Sequence, residues 1–272
     1  RRDWRLADLM IPFSVPGGGV GPLIDKYDVF IIQGRGSRRW RVGDKLPMRQ
    51  FCPHPALLHV DPFPPIIDED LEPGDILYIP PGFPHDGITH ETALNYSVGF
   101  RGPNGRDLIS SFADYALEND LGGEHYSDPD LTCREHPGRV EEYELERLRD
   151  MMIEMISQPE DFRRWFGRFA TTPRHELDIA PAEPPFEEEE IVDALAGGEM
   201  LTRLSGLRVL HIGDSFFENS EQLEPTDPAA LDSLCRYTLL GKEELGEAAL
   251  RNPAFIADLT RLINQGYWFF DE

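Results

Sequence analysis

Long hydrophobic runs are missing from this 272-residue chain. The longest, Val29–Ile32 and Ile76–Pro81, fall far short of the ~20 residues a membrane-spanning helix needs, so no membrane partner is expected. Positive charge is scarce: 26 Lys+Arg stand against 50 Asp+Glu, a net charge of −24 at pH 7. Nonspecific nucleic-acid binding needs cations to neutralise phosphates, and this balance argues against it. A basic partner is favoured instead, because opposite fields speed association, unless the charge serves solubility alone. Cysteine is rare: Cys52, Cys133 and Cys235 lie far apart, with no C-x-x-C. That argues against a disulfide framework or a thiolate zinc site and suits a reducing cytoplasm. No initiator Met and no apolar leader open the chain. Starting on Arg1-Arg2-Asp3-Trp4, it is expected to begin inside a domain. Internal repeats and long low-complexity stretches are absent too.

Hydrophobic residues make up 40% and aromatics 10%, enough for a core and too much for wholesale disorder. The length suggests two domains, with room for a small third. Up to about Arg101 the pattern is of short β-type runs punctuated by Gly and Pro: Leu9–Val15, Tyr27–Gln33, Arg38–Val42, Ile76–Pro80 and Ala93–Phe100. Many short strands with Gly/Pro turns indicate a sandwich or barrel. Asn104 then reads as a helix N-cap, with Leu108, Phe112, Tyr115 and Ala116 at helical spacing. A second helix is predicted near Val140–Ser157, with Leu145, Leu148, Met152 and Met155 on one stripe. A third, Glu160–Ala170, brings Phe162, Trp165, Phe166 and Phe169. So apolar a block either packs on the barrel or forms a subunit interface, and we take Trp165, Phe166 and Phe169 as interface residues.

A Pro-rich linker, Ala180–Pro185, follows. Beyond it, helices are predicted at Glu187–Leu195, Ala229–Cys235, Glu243–Leu250 and Pro253–Asn264. Strands are predicted at Leu207–Ile212 and Tyr267–Phe270, with a hairpin turn at Gly213-Asp214. Small helices and a hairpin suggest a winged-helix-like module. From His175 onward there are 21 acidic and 6 basic residues, a net charge of −15. Such a surface repels DNA, so a DNA-reading role is disfavoured.

Chemistry concentrates in two stretches. Residues 73–85 read P-G, five residues, then P-x-G-x-x-H, ending on His85. Two rigid turns around a buried strand would hold that imidazole pre-oriented, as a metal ligand must be; the alternative is a core histidine with a satisfied ring. The second stretch, Val15–Phe30, opens with Gly17-Gly18-Gly19 and carries Asp25. With no following Lys-Ser/Thr and no helix pattern, a phosphate cradle fails. The glycines instead give the backbone room near a small bound species. Asp25 and His85 suit ligands on different strands of one small barrel. A facial triad of two His and one carboxylate, the non-haem Fe(II) arrangement, would need one more His.

From Asp3 to about Phe100 the sequence resembles the JmjC-type cupin domain of the bacterial ribosomal oxygenases. The shared stretches are Phe13–Pro22, Gln33-Gly34, Arg39-Trp40, Gly74–His85 and Asn95–Phe100, and the similarity runs on through nearly the whole chain. The resemblance implies an α+β chain. A double-stranded β-helix barrel (residues 1–102, lacking the family's N-terminal segment) precedes a helical dimerisation block (103–175), the linker (176–185) and an acidic winged-helix-like module (186–272). It implies Fe(II)- and 2-oxoglutarate-dependent hydroxylation of an arginine on a basic ribosomal protein of the large subunit, by a cytoplasmic homodimer. Residue by residue, it makes Asp25 and His85 metal ligands. It makes Arg38 the grip on the far carboxylate of 2-oxoglutarate, a role that suits a bidentate guanidinium. Period-2 alternation sets Arg38 on the face opposite Arg39; otherwise Arg38 is an exposed strand arginine. Ser14 and Asn95 become cosubstrate partners, or else ordinary polar residues inside a barrel. Tyr27 and Asp28 become the lining of the substrate entrance.

One departure stands out. The family's metal motif is His-x-Asp, and its His position is Leu23 here. None of His54, His59 or His90 sits at a family ligand position. The expectation is an impaired hydroxylase, the alternative a catalytically inactive scaffold that binds the same basic protein.

Overall fold

The computed structural model describes residues 3–54, 57–129, 131–136 and 138–270; the Arg1-Arg2 opening, the last two residues and the side chain of His54 lie outside that description. The chain divides into two compact units, Arg1–Pro103 and Asn104–Glu272.

Among the described residues the regular elements of the first unit are all strands: β1 (Leu6–Met10), β2 (Phe13–Ser14), β3 (Leu23–Ile24), β4 (Asp28–Arg35), β5 (Arg38–Gly43), β6 (Gln50–His54), β7 (Leu57–Val60), β8 (Pro65–Leu71), β9 (Ile76–Ile79), β10 (Pro84–Thr89) and β11 (Ala93–Phe100). One sheet runs β1-β11-β4-β9, with β2 also on β11; the other runs β6-β7-β3-β10-β5-β8. Together they form the double-stranded β-helix of the JmjC/cupin fold. The predicted run Leu9–Val15 is two strands rather than one, because Pro12 has no N–H for the ladder. Its carbonyl still accepts the Asn95 N–H at 3.3 Å.

Alternation fills the barrel. Val29 and Ile31 from β4, Trp40 and Val42 from β5, and Leu77 and Ile79 from β9 form one buried cluster. Each such side chain contributes roughly 1.5–3 kcal/mol by leaving water. Arg38 alternates with Trp40 and Val42 and therefore faces the same interior. A row of directly opposed residues crosses the second sheet: His59 opposite Leu23, Leu23 opposite His85, His85 opposite Val42. Directly opposed residues share a face. Val42 is 2% exposed, so the whole row looks inward.

In the second unit α1 (Gly105–Glu118) starts at Asn104, whose side chain accepts from the Arg106 and Asp107 N–H groups while Asp107 reaches back, a capping box. Next come α2 (Glu142–Ile156) and α3 (Pro159–Thr171), then α4 (Glu188–Gly197), β12 (Leu201–Arg203), β13 (Val209–Ile212), β14 (Ser215–Glu218), β15 (Glu221–Leu223), α5 (Pro228–Arg236), β16 (Leu239–Leu240), α6 (Lys242–Leu245), α7 (Pro253–Asn264) and β17 (Trp268–Phe270). The short strands make two three-stranded sheets, β16-β12-β17 and β13-β14-β15. Ile212 pairs with Ser215 across the two-residue Gly213-Asp214 turn. The predicted helix Glu243–Leu250 is shorter: α6 stops at Leu245, and a 3-10 turn follows at Ala249–Arg251. No described helix is long and apolar enough to cross a membrane, and the three cysteines are free.

Trp165, Phe166 and Phe169 of α3 are not the exposed interface expected of them, although Phe162 on the same helix stays exposed. Trp165 is 3% exposed and forms a core with Phe112, Tyr115 and Ala116, against which Phe166 and Phe169 pack. Its ring meets Phe112 edge-on at 5.1 Å, and its indole N–H donates to the Ser111 hydroxyl at 3.0 Å. Burying these rings within the chain satisfies the apolar face that the sequence leaves unpartnered. Exposure sits instead on α2, none of whose residues is buried: Leu145, Leu148, Met152, Ile153 and Ile156 all remain open.

Candidate metal and cosubstrate site

The turn before β10 delivers His85 and the end of β3 delivers Asp25. Pro84 opens β10, and the imidazole behind it is 4% exposed. Its Nδ1 lies 3.1 Å from the Phe83 carbonyl. A carbonyl only accepts, so Nδ1 carries the proton of this bond and Nε2 is the ring nitrogen turned to the interior, the orientation in which a ligating histidine is held. Nε2 points at the Asp25 carboxylate, 3.4 Å away. An imidazole nitrogen and a carboxylate oxygen converging in this way are donor types that a divalent metal ion takes together. Ile24 points the other way, into a small cluster with Val60 and Phe63, which turns Leu23 and Asp25 to the interior together.

Leu23 stands where a third donor would. Among the described residues, no group of three His, Cys, Asp or Glu side chains is placed to hold a metal. The donor set therefore fits Fe(II) in kind and falls one short in number.

Arg38 lies at the other end of the same interior. It is 6% exposed, and one of its guanidinium N–H groups donates to Asn95 Oδ1 at 2.9 Å and another to the Gly87 carbonyl at 3.1 Å. The guanidinium lies over the Trp40 ring, 4.7 Å from its centroid. Gly87 is needed for this approach, since a Cβ there would stand 2.8 Å from Arg38 Nε. Burial pulls the Arg38 pKa below its ordinary value, an effect the nearby Asp86 charge opposes. No carboxylate among the described residues pairs with it, whereas the neighbouring Arg39 is exposed and bridges Asp68 at 2.6 Å. A buried cation without a counter-ion is costly.

Around it stand buried polar atoms without partners: Arg38 Nε, Asn95 Nδ2, Thr89 Oγ1, Gln33 Oε1 and Trp40 Nε1. Thr89 is opposite Arg38 and Gln33 opposite Asn95. Unsatisfied buried polar atoms, most of them donors, gathered around a guanidinium with no bonded carboxylate are the mark of a missing anion. The Gly87 end of the guanidinium is two residues from His85, about 7 Å along the strand. A five-carbon dicarboxylate such as 2-oxoglutarate bridges that gap.

The expected residues do not all converge. Ser14 lies opposite Ala93, on the face that Ala93 and Asn95 turn inward, so it joins the Arg38 end. Tyr27 packs at the edge of the interior cluster. Asp28 does not join them: it alternates with Phe30 on the outer face and accepts from the Tyr78 hydroxyl at 2.6 Å. Thr89, Gln33 and Trp40 were not foreseen. Trp40 and Thr89 follow from period-2 alternation once Arg38 and His85 are known to face inward.

Residues 1–108 match the family model described as JmjC domain, and residues 154–269 that described as ROXA-like winged helix. The ribosomal protein uL16 3-hydroxylase of Escherichia coli (strain K12) is 61% identical over 269 residues, covering 99% of this chain and 72% of the relative. A probable ribosomal oxygenase of Haemophilus influenzae is 30% identical over 178 residues, 60% of this chain and 42% of that protein. Among solved structures, the E. coli ribosomal oxygenase YcfD in complex with cobalt and 2-oxoglutarate matches at 58% identity and a TM-score of 0.91, covering 99% of this chain and 71% of that one.

Proposed function

Since the chain belongs to the JmjC-type ribosomal oxygenases, a family of 2-oxoglutarate-dependent hydroxylases, we propose that it hydroxylates an arginine side chain of a large-subunit ribosomal protein, held back by the leucine at position 23. The observation that carries this is the buried, uncompensated Arg38 among unsatisfied polar atoms. In this reading Arg38 grips the far carboxylate of 2-oxoglutarate bidentately. Asn95, Thr89 and Ser14 supply further hydrogen bonds. Asp25 and His85 would hold the metal at the cosubstrate's other end. When bound, iron supplies the oxidation of 2-oxoglutarate to succinate and carbon dioxide that hydroxylation is coupled to. The chain's own part is to orient: the Phe83 carbonyl fixes the His85 tautomer, and the apolar cluster of Trp40 and Val42 keeps water from the cosubstrate. Tyr27 lines the entrance. Asp28, on the outer face, attracts a basic substrate rather than touching it. The net charge of −24 suits a basic ribosomal protein, and such a substrate implies a cytoplasmic location.

The test is coupled turnover. With Fe(II), 2-oxoglutarate and a basic ribosomal-protein peptide carrying the target arginine, succinate release should rise with the peptide, and the arginine should gain one oxygen by mass spectrometry. Peptide binding with no succinate above background would instead favour the inactive scaffold, the reading Leu23 supports.

Assembly is also open to test. In our proposal the homodimer uses the exposed face of α2, so light scattering should report about twice the 31.0 kDa of one chain, and Leu148→Glu should give monomer. A chain that stays monomeric at high concentration would end the dimer reading.

A further inference from the structure

The second unit buries a carboxylate for which the hydroxylase reading has no use. Glu218 closes β14, directly opposite Val209 of β13 and Glu221 of β15, and it is 1% exposed. Its Oε1 accepts the indole N–H of Trp268 on β17 at 3.0 Å. Its Oε2 is buried with no hydrogen-bond partner among the described residues. An ionised carboxylate taken out of water needs several donors to offset its lost hydration, and one indole is too few. The uncharged acid needs far less. Asn219 and Ser220 follow directly, both at positive φ, 48° and 69°, as a tight two-residue hairpin turn demands. That turn is where α3 is fastened. The Ser220 N–H donates to Thr171 Oγ1 at 3.0 Å, its carbonyl accepts from Arg168 Nε at 3.1 Å, and its hydroxyl lies 2.9 Å from that of Thr172. The Asn219 amide donates to the hydroxyl of Tyr267, the neighbour of Trp268, at 2.6 Å. Phe217 packs on Gly167 of α3, where any Cβ would run into its ring. We propose that Glu218 is a proton-operated latch: with its proton it holds the β14–β15 hairpin shut on α3 and β17, and without it the hairpin loosens to let water reach the carboxylate.

The surrounding charges set the range in which the latch works. Burial pushes the Glu218 carboxyl up to about 7; the Trp268 N–H, Arg203 and Arg261 pull the other way, and Glu221 adds to the rise. Arg203 of β12 donates to the Leu234 carbonyl at 3.2 Å and lies over the Trp268 ring, 5.8 Å from its centroid. Arg261 of α7 reaches Glu221 at 3.9 Å. On α3, Arg164 donates to Gln222 at 3.3 Å while Arg168 holds Ser220. His211 of β13 stacks on Phe216 and reaches Asp232 of α5 at 3.6 Å. The Cys235 thiol, pushed up to about 12 chiefly by burial, stays neutral throughout. A glutamate opened to water ionises near its ordinary 4.5. The latch therefore contributes its full stability below that value and loses it as the pH climbs to about 7, above which the loss is complete. Because α3 carries Trp165 in the core it shares with α1, the latch ties the winged-helix-like module to the helical block.

No part of this depends on the hydroxylase reading. The experiment is infrared spectroscopy of the full chain labelled with 13C-glutamate, combined with hydrogen exchange. At about pH 6 an exposed carboxylate is ionised, so a labelled acid carbonyl band that persists there and vanishes by about pH 8 belongs to a buried glutamate. The unmodified chain should show that band, and Glu218→Gln should lack it. Opening at the Ser220 N–H, corrected for the amide's own pH dependence, should rise at least about 10-fold between about pH 5 and about pH 7 in the unmodified chain. Each unit of a raised pKa is a factor of ten in that equilibrium. In Glu218→Gln, which keeps the size and cannot ionise, the rise should be gone. Where the glutamine variant does not fold, Glu218→Asp serves in its place, since a labelled glutamate band must vanish from it as well. Absence of the band in the unmodified chain, its survival in either variant, or the same rise in opening with and without Glu218 would each overturn the latch.

Discussion

Leu23→His should tighten Mn(II) binding by about 10–100-fold and speed conversion of 2-oxoglutarate. Residue 23 on β3 and Asp25 just past its end turn to the same side, so the new imidazole points where Asp25 points and completes a facial triad. The gain, on the order of 1.4–2.8 kcal/mol, takes the loss of an outer-shell partner as its floor. No gain would mean that Asp25 and His85 do not hold the metal. Titration by EPR and succinate release, measured on the unmodified chain and the variant, decide it.

Arg38→Ala should raise the dissociation constant for 2-oxoglutarate by about 10–100-fold. A hydrogen bond to a charged group contributes roughly 1.5–3 kcal/mol, and Arg38 is buried, fixed by Asn95 and Gly87 and without a protein carboxylate. Arg38→Lys should recover only part of the affinity, since an ammonium keeps the charge and loses the planar fork. Calorimetry that finds the alanine variant binding as tightly as the parent would remove Arg38 from the cosubstrate site.

The two kinds of strand in the barrel were not equally readable. β4, β5 and β11 are six to eight residues of alternating or β-branched sequence, and their pattern is plain. β3 has two residues. β10 carries Pro84, His85, Asp86 and Gly87 in a row, a composition that looks like a loop and is buried because it builds the site. β8 is almost wholly exposed along an edge, so no period-2 contrast marks it. In α1 the Asn104 and Asp107 pair was legible because a cap is a local hydrogen-bond arrangement. The α3 aromatics were legible as apolar and misjudged in destination, since spacing along a helix says which face is greasy but not what covers it.

The site divides in the same way. Asp25, His85 and Arg38 stand at motif positions. Thr89, Gln33 and Trp40 surround Arg38 only through strand pairing, and Asp28 sits beside Tyr27 in the chain while facing out of the barrel. Register between strands is a property of the folded ladder. It leaves no trace in the order of residues, and for the same reason Asn95 meets Arg38 from the opposite sheet.

The guanidinium of Arg38 has a consequence for the timing of turnover. In the proposed reaction it grips the end of 2-oxoglutarate that oxidation leaves alone, so succinate keeps the carboxylate it holds. Such a contact is the same for cosubstrate, transition state and product: it is uniform binding, which lowers KM without lowering the chemical barrier. The residue that makes the barrel select its dicarboxylate is thus the one that detains the product. Succinate is then a competitive inhibitor by construction, and the pool ratio of the two dicarboxylates, as much as oxygen or iron, sets how much of the enzyme is free to begin again.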